Sequence, residues 1–166
     1  MLLSWRWLNE YVDLNGRTIG SVAEKLTMTG CEVESIDTPC ELLSGIQVAR
    51  IEKLFPHPEA DTLNVAEVSS PIGRFTCITA APNLEVGHVV PFAPPGARLA
   101  DGTAMGRKDF LGITSEGMLL SAEEIGLPDI ADEFGILRLP DDTPLDADLM
   151  EHFGLDDHVM EISITP

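Results

Sequence analysis

Four histidines, His57, His88, His152 and His158, are the first residues in this chain that could carry acid–base or metal chemistry. No two stand at HxxxH or HExxH spacing, so no metal site is expected. His57, Asp61 and Ser115 supply the residue types of a nucleophilic triad. A triad serine needs a sharp elbow of the GxSxG kind to expose it, and the sequence has none. His57 lies between Pro56 and Pro58. It reads more simply as part of a rigid turn, with Asp61 as its cap. Neither a GxxxxGKS/T loop nor a GxGxxG loop occurs, so nothing licenses a nucleotide site. Cys31, Cys40 and Cys77 are odd in number and form no CxxC pair. Neither a disulfide framework nor structural zinc is expected, and a reducing cytoplasm fits. What remains is electrostatic chemistry, carried by Arg50, Lys53, Arg74, Arg98, Arg107 and Lys108.

Those cations sit in an acidic chain. Its 166 residues carry 10 bases against 28 acids, a net charge of −18. Residues 119–166 hold thirteen of the acids and one base, Arg138, whereas residues 42–118 balance six bases against eight acids. Charge alone argues against nucleic-acid binding, which ordinarily shows a basic patch. No apolar run approaches the ~20 residues that span a bilayer, so no membrane partner is expected. Arg6 and Glu10 interrupt the N-terminal apolar stretch, which therefore does not read as a secretory signal.

The elements that must position the cations follow from periodicity. Ser4 can cap a helix through Trp5, Leu8, Tyr11 and Val12, and Thr18 a second through Ile19, Val22, Ala23 and Leu26. Cys31–Asp37 alternates as a strand. From Gly45, short apolar runs (GIQVARIEKLF, LNVAEVS, RFTCITA, HVVPFA and GILRLP) alternate with Gly, Pro, Asn and Asp turns, the texture of a small β-barrel or sandwich. Thr143–Pro144 can open a helix toward Phe153, and residues 159–164 alternate again. That last strand runs straight into Pro166, so the natural chain is expected to continue. The two flanks are too small to hold separate cores. They are expected to pack together, with Leu26 and Phe153 in their shared core and the β-rich middle as an insertion.

Phe55-Pro56-His57-Pro58-Glu59-Ala60-Asp61-Thr62-Leu63, then Ala81-Pro82-Asn83, then Ser115-Glu116-Gly117-Met118-Leu119 resemble the tRNA-binding OB-fold module related to the endothelial monocyte-activating polypeptide. The flanks narrow the resemblance. Ser4–Val12, Lys25–Glu34, Glu133–Leu137 and Leu155–Pro166 are similar to the N-terminal segment of the bacterial phenylalanyl-tRNA synthetase β-subunit. Four positions depart from the family pattern: Thr62 for Lys, Ala80 for Gly, Leu111 for Arg and Leu120 for Cys. Two of these remove positive charge from the face that should meet RNA.

The resemblance implies a mixed α and β chain. A five-stranded OB-fold barrel over residues 42–147 would be inserted into a small discontinuous α/β domain of residues 1–41 plus 148–166. It implies an auxiliary, non-catalytic part of an ATP-dependent ligase. Its partners would be tRNA(Phe), the α-subunit of an α2β2 heterotetramer and later β-subunit domains. ATP and Mg2+ would serve the full enzyme, with no cofactor in this segment. Arg107 and Lys108 are the leading phosphate contacts, with Arg98 and Lys53 as further cations and Asn83 and Ser115 as hydrogen-bonding groups at the same rim. Met118 reads as barrel core. The alternative is a protein-interaction module of the same subunit with little RNA contact.

Overall fold

A computed structural model describes residues 1–38, 40–130 and 135–164. Glu133, Phe134, Thr165 and Pro166, which belong to the family-like motifs, lie outside the described residues. In chain order the elements are β1 (Leu2–Ser4), α1 (Trp5–Tyr11), α2 (Ile19–Met28), β2 (Cys31–Asp37), β3 (Gln47–His57), β4 (Ala60–Ser70), β5 (Gly73–Thr79), β6 (Val89–Ala93), β7 (Arg107–Phe110), β8 (Ile113–Glu116), β9 (Met118–Leu119), a 3-10 turn at Pro128–Ile130, α3 (Leu149–Phe153) and β10 (Val159–Ile164). They fall into two compact units, Met1–Pro39 with Gly154–Pro166, and Cys40–Phe153.

The first unit is a three-stranded antiparallel sheet in the order β1-β10-β2, with α1 and α2. The strands expected from alternation at the two ends of the chain are hydrogen-bonded neighbours, and the register shifts between Glu161 and Ile162. Met160, Ile162 and Ala23 are buried, with Leu3, Trp5, Leu8, Leu26 and Val33 packed around them. Both predicted caps form. Ser4 Oγ accepts the Trp7 N–H at 3.0 Å and donates to the Asp157 carboxylate. Thr18 Oγ1 accepts the Ser21 N–H at 3.3 Å.

The second unit is mostly β, with a five-stranded antiparallel sheet in the order β5-β4-β3-β6-β9 and a separate hairpin, β7-β8. Strand alternation sends its apolar residues to two cores. Ala49, Ile51, Val68, Cys77, Val90 and Phe92 share one cluster. Val48, Val89, Leu139 and Leu149 form the other, against which Phe153 packs. This explains why Val89–Ala93 is buried at every position.

Four expectations change. The closed barrel is replaced by an open ladder: among the described residues no backbone pairing joins β5 to β9. The physical reason is that β9 is only two residues long, and side chains of β8 occupy part of the β5 edge instead. Residues 135–140 are no strand. The Ile136 peptide is held by Asn83, Leu137 N–H goes to the Leu120 carbonyl, and Leu139 N–H goes to Val89, so no ladder propagates. The last helix begins at Leu149, after Asp148, whose carboxylate accepts the Met150 N–H at 2.8 Å, and not at Thr143–Pro144. Its residues, Phe153 included, cluster with Cys40–Phe153, so the division falls after residue 153 and not at 147/148.

Candidate nucleic-acid interface

The β7-β8 hairpin carries the two leading cations. It turns on Leu111 and Gly112, whose φ angles of 50° and 86° are both left-handed, the pattern of a type I′ turn. The Leu111 side chain is exposed at the tip. Asp109 supports the turn by accepting the Gly112 N–H at 3.1 Å. Cross-strand pairing sets Lys108 opposite Ser115, Phe110 opposite Ile113 and Arg107 opposite Glu116. Directly opposed residues share a face, so Lys108, Phe110 and Ser115 lie on one side of the hairpin and Arg107 and Glu116 on the other.

The Ser-Glu-Gly-Met motif fastens this hairpin to the sheet. Ser115 is buried; its Oγ accepts the Ile78 N–H of β5 at 3.0 Å and donates to the Gly117 carbonyl at 2.9 Å. Glu116 accepts the Thr76 N–H at 3.4 Å through Oε2 and pairs with Arg107 Nε at 3.4 Å through Oε1. Gly117 has φ 112°, and a Cβ there would lie 2.3 Å from the Ala93 carbonyl oxygen, so only glycine fits. Met118 then pairs with Ala93 in the β6–β9 ladder.

His57 anchors the opposite end. It is buried, and its Nε2 lies 2.9 Å from the Phe110 carbonyl, while Nδ1 accepts the Glu59 N–H at 3.1 Å. The ring thus organises the turn that the sequence reading gave to Asp61. With His57 and Ser115 each committed to backbone partners, they form no triad.

The sequence-derived candidates divide in space. Arg107 and Lys108 are exposed beside Ser115, on a cleft of about 420 Å³ that Met105, Phe110 and Met118 also line. The Lys108 ammonium sits over the Phe110 ring, 5.2 Å from its centroid. Arg98 lies near this cleft through its backbone bridge to Ala104, and its guanidinium donates to the Gly102 carbonyl at 3.4 Å. Lys53 is elsewhere, on β3, paired across the ladder with Glu67 at 2.7 Å. Asn83 lines a different cleft, of about 500 Å³, and clamps Ile136 by donating to its carbonyl at 2.9 Å and accepting its N–H at 3.1 Å. Sequence reasoning passed over Phe110 and Glu116. The usable signal was the alternation of Lys108 with Phe110 directly before a Leu-Gly turn.

Cys77, in the core beneath this region, is chemically quiet. Burial, with Glu116 adding to it, pushes its thiol up to about 12 from an ordinary 9.0. Among the described residues no helix is long and apolar enough to cross a membrane.

Comparison with known proteins agrees with this arrangement. Residues 46–147 match the family described as "Putative tRNA binding domain". Over 166 residues, all of this chain, it is 40% identical to the phenylalanine–tRNA ligase beta subunit of Syntrophus aciditrophicus. It is 41% identical over 167 residues to that of Methylococcus capsulatus, and 38% identical over 160 residues, 96% of this chain, to that of Thermotoga maritima. The chain spans only 20% to 21% of the length of these relatives. With its hairpin, its Ser-Glu-Gly-Met clasp and its His-Pro turn inside the matched region, the chain belongs to the tRNA-binding-domain family, in the form similar to the N-terminal region of phenylalanine–tRNA ligase beta subunits.

Proposed function

We propose that this chain is an auxiliary, non-catalytic tRNA-binding module of a phenylalanine–tRNA ligase β-subunit. The observation that carries the reading is the cation-bearing hairpin, Arg107 and Lys108, held over a cleft inside the region that matches the tRNA-binding family. The second unit presents an open five-stranded sheet whose β5 edge is covered by the Ser115 and Glu116 side chains of the hairpin. Arg98 and Lys53 add outlying positive charge, Ser115 fastens the hairpin to β5, and Asn83 holds the Ile136 peptide at a separate cleft. The tRNA is tRNA(Phe), and the module works within a cytoplasmic assembly with the α-subunit and later β-subunit domains. Among the described residues no three His, Cys, Asp or Glu side chains converge on a possible metal position. In this reading the ligase's ATP and Mg2+ would serve other parts of the enzyme.

The net charge of −18 makes the long-range field repulsive, while two exposed cations attract only locally. Titration of labelled tRNA against this chain tests the reading. A dissociation constant no tighter than about 10⁻⁴–10⁻⁶ M is expected. Nanomolar binding at ~0.15 M salt overturns the claim of an auxiliary role. In the holoenzyme, Arg107→Glu with Lys108→Glu should weaken tRNA binding by about 1–2 kcal/mol. A protein-docking reading has one observation in its favour: Trp7 and Tyr11 stand exposed on α1 with ring centroids 5.0 Å apart. Absence of tRNA binding at low salt, with the charge reversals silent in the holoenzyme, would select it.

A further inference from the structure

We infer that the cleft beside the β7-β8 hairpin is a pocket for one unpaired nucleotide of the tRNA, its base stacked on Phe110 and its phosphate held by Lys108, with Arg107, on the other side of the strand, meeting the neighbouring phosphate. The inference rests on the tRNA-binding reading and narrows it from RNA in general to a single-stranded contact. Three observations converge. The cleft, at about 420 Å³, has room for a base and is lined by Met105, Phe110 and Met118, apolar side chains that offer nothing to a hydrated phosphodiester but match the face of a base. Phe110 and Lys108 share one face of the hairpin, and the ammonium already rests over the ring. A base that takes the ring displaces the ammonium toward the phosphate that the same nucleotide brings, so the two groups bind one ligand without competing for it. Finally, Ser115 and Glu116 tie this hairpin to β5, and His57 ties the Phe110 peptide, so the ring is held on a fixed support. A duplex keeps its base faces stacked and can use only the cations.

The test is a titration of the 166-residue chain with labelled oligoadenylate and, separately, with a blunt RNA duplex of equal phosphate number, at about 50 mM salt. The single strand should bind about tenfold more tightly than the duplex. Phe110→Leu keeps the apolar volume but removes the π-face. It should lower single-strand affinity about tenfold and leave both duplex binding and the salt slope unchanged, while Phe110→Tyr retains affinity. Arg107→Gln with Lys108→Gln should reduce the salt slope by about 1.4, the value for two phosphates of a single strand. Unlabelled tRNA should displace the oligonucleotide. Equal affinity for duplex and single strand, wild-type binding by Phe110→Leu, or failure of tRNA to compete each overturns the pocket. If tRNA binds the chain while Phe110→Leu is silent, the pocket alone falls. If tRNA does not bind at all, the tRNA-binding reading falls with it.

Discussion

His57 Nε2 lies 2.9 Å from the carbonyl oxygen of Phe110, fifty-three residues away, and this bond joins the β3-β4 turn to the hairpin that carries Arg107 and Lys108. Because the Glu59 N–H must donate to Nδ1 and the Phe110 carbonyl must accept from Nε2, the neutral ring protonated at Nε2 satisfies both partners. His57→Ala should therefore cost about 1–3 kcal/mol, because a part-buried carbonyl and a turn N–H lose their partners together. Urea unfolding monitored by far-UV circular dichroism measures it; a loss below about 0.5 kcal/mol would mean that water replaces the ring.

Leu111 holds a left-handed backbone, φ 50°, at an exposed hairpin tip. That conformation costs an L-residue with an ordinary side chain roughly 1–2 kcal/mol, which Asn tolerates better. Leu111→Asn should raise stability by up to about 1 kcal/mol, and Leu111→Val should lower it, since a branched Cβ fits the turn worse. Thermal midpoints of the two variants, moving in opposite directions, are the check.

Cys77 should give the protein an alkaline limb. Its folded pKa, about 12, lies above its ordinary 9.0. Between those values the folded state keeps a proton that the unfolded state has lost. Its contribution to stability is whole below pH 9.0 and falls as pH rises toward about 12. The slope is at most about 1.4 kcal/mol per pH unit. Cys77→Ala should flatten that limb in denaturant titrations. In the native state at pH 8, a thiol reagent should modify Cys31 and Cys40, which are part-exposed, and spare Cys77.

Both tryptophans, Trp5 and Trp7, belong to the first unit, so their fluorescence reports that unit alone. Met160 is fully buried there, and Met160→Ala should lower the fluorescence-detected midpoint by the equivalent of about 2–5 kcal/mol. Phe153 packs in the second unit, so Phe153→Ala should spare the tryptophan signal and move the strand signal in circular dichroism. One transition shifting equally in both variants would show that the units unfold together.

Local chemistry in this chain was legible in its sequence. Ser4 and Thr18 cap their helices because an N-cap reaches only two or three residues along the chain. The alternation of residues 31–37 and 159–164 marked two strands, because a strand with one buried face must alternate. The order of the His-Pro, Ala-Pro-Asn and Ser-Glu-Gly-Met motifs marked the family. Only the tertiary structure decided what the polar members of those motifs do. The resemblance implies that Ser115 and Asn83 face RNA, yet Ser115 meets the Ile78 N–H and Asn83 the Ile136 peptide. Those partners lie 37 and 53 residues away. A buried hydroxyl or amide must find a partner, and which backbone group comes within 3 Å of it is set by how strands pack, not by what stands beside it in sequence. The same holds for the open β5 edge: side chains from a hairpin formed elsewhere in the chain cover it, and no local pattern announces that arrangement.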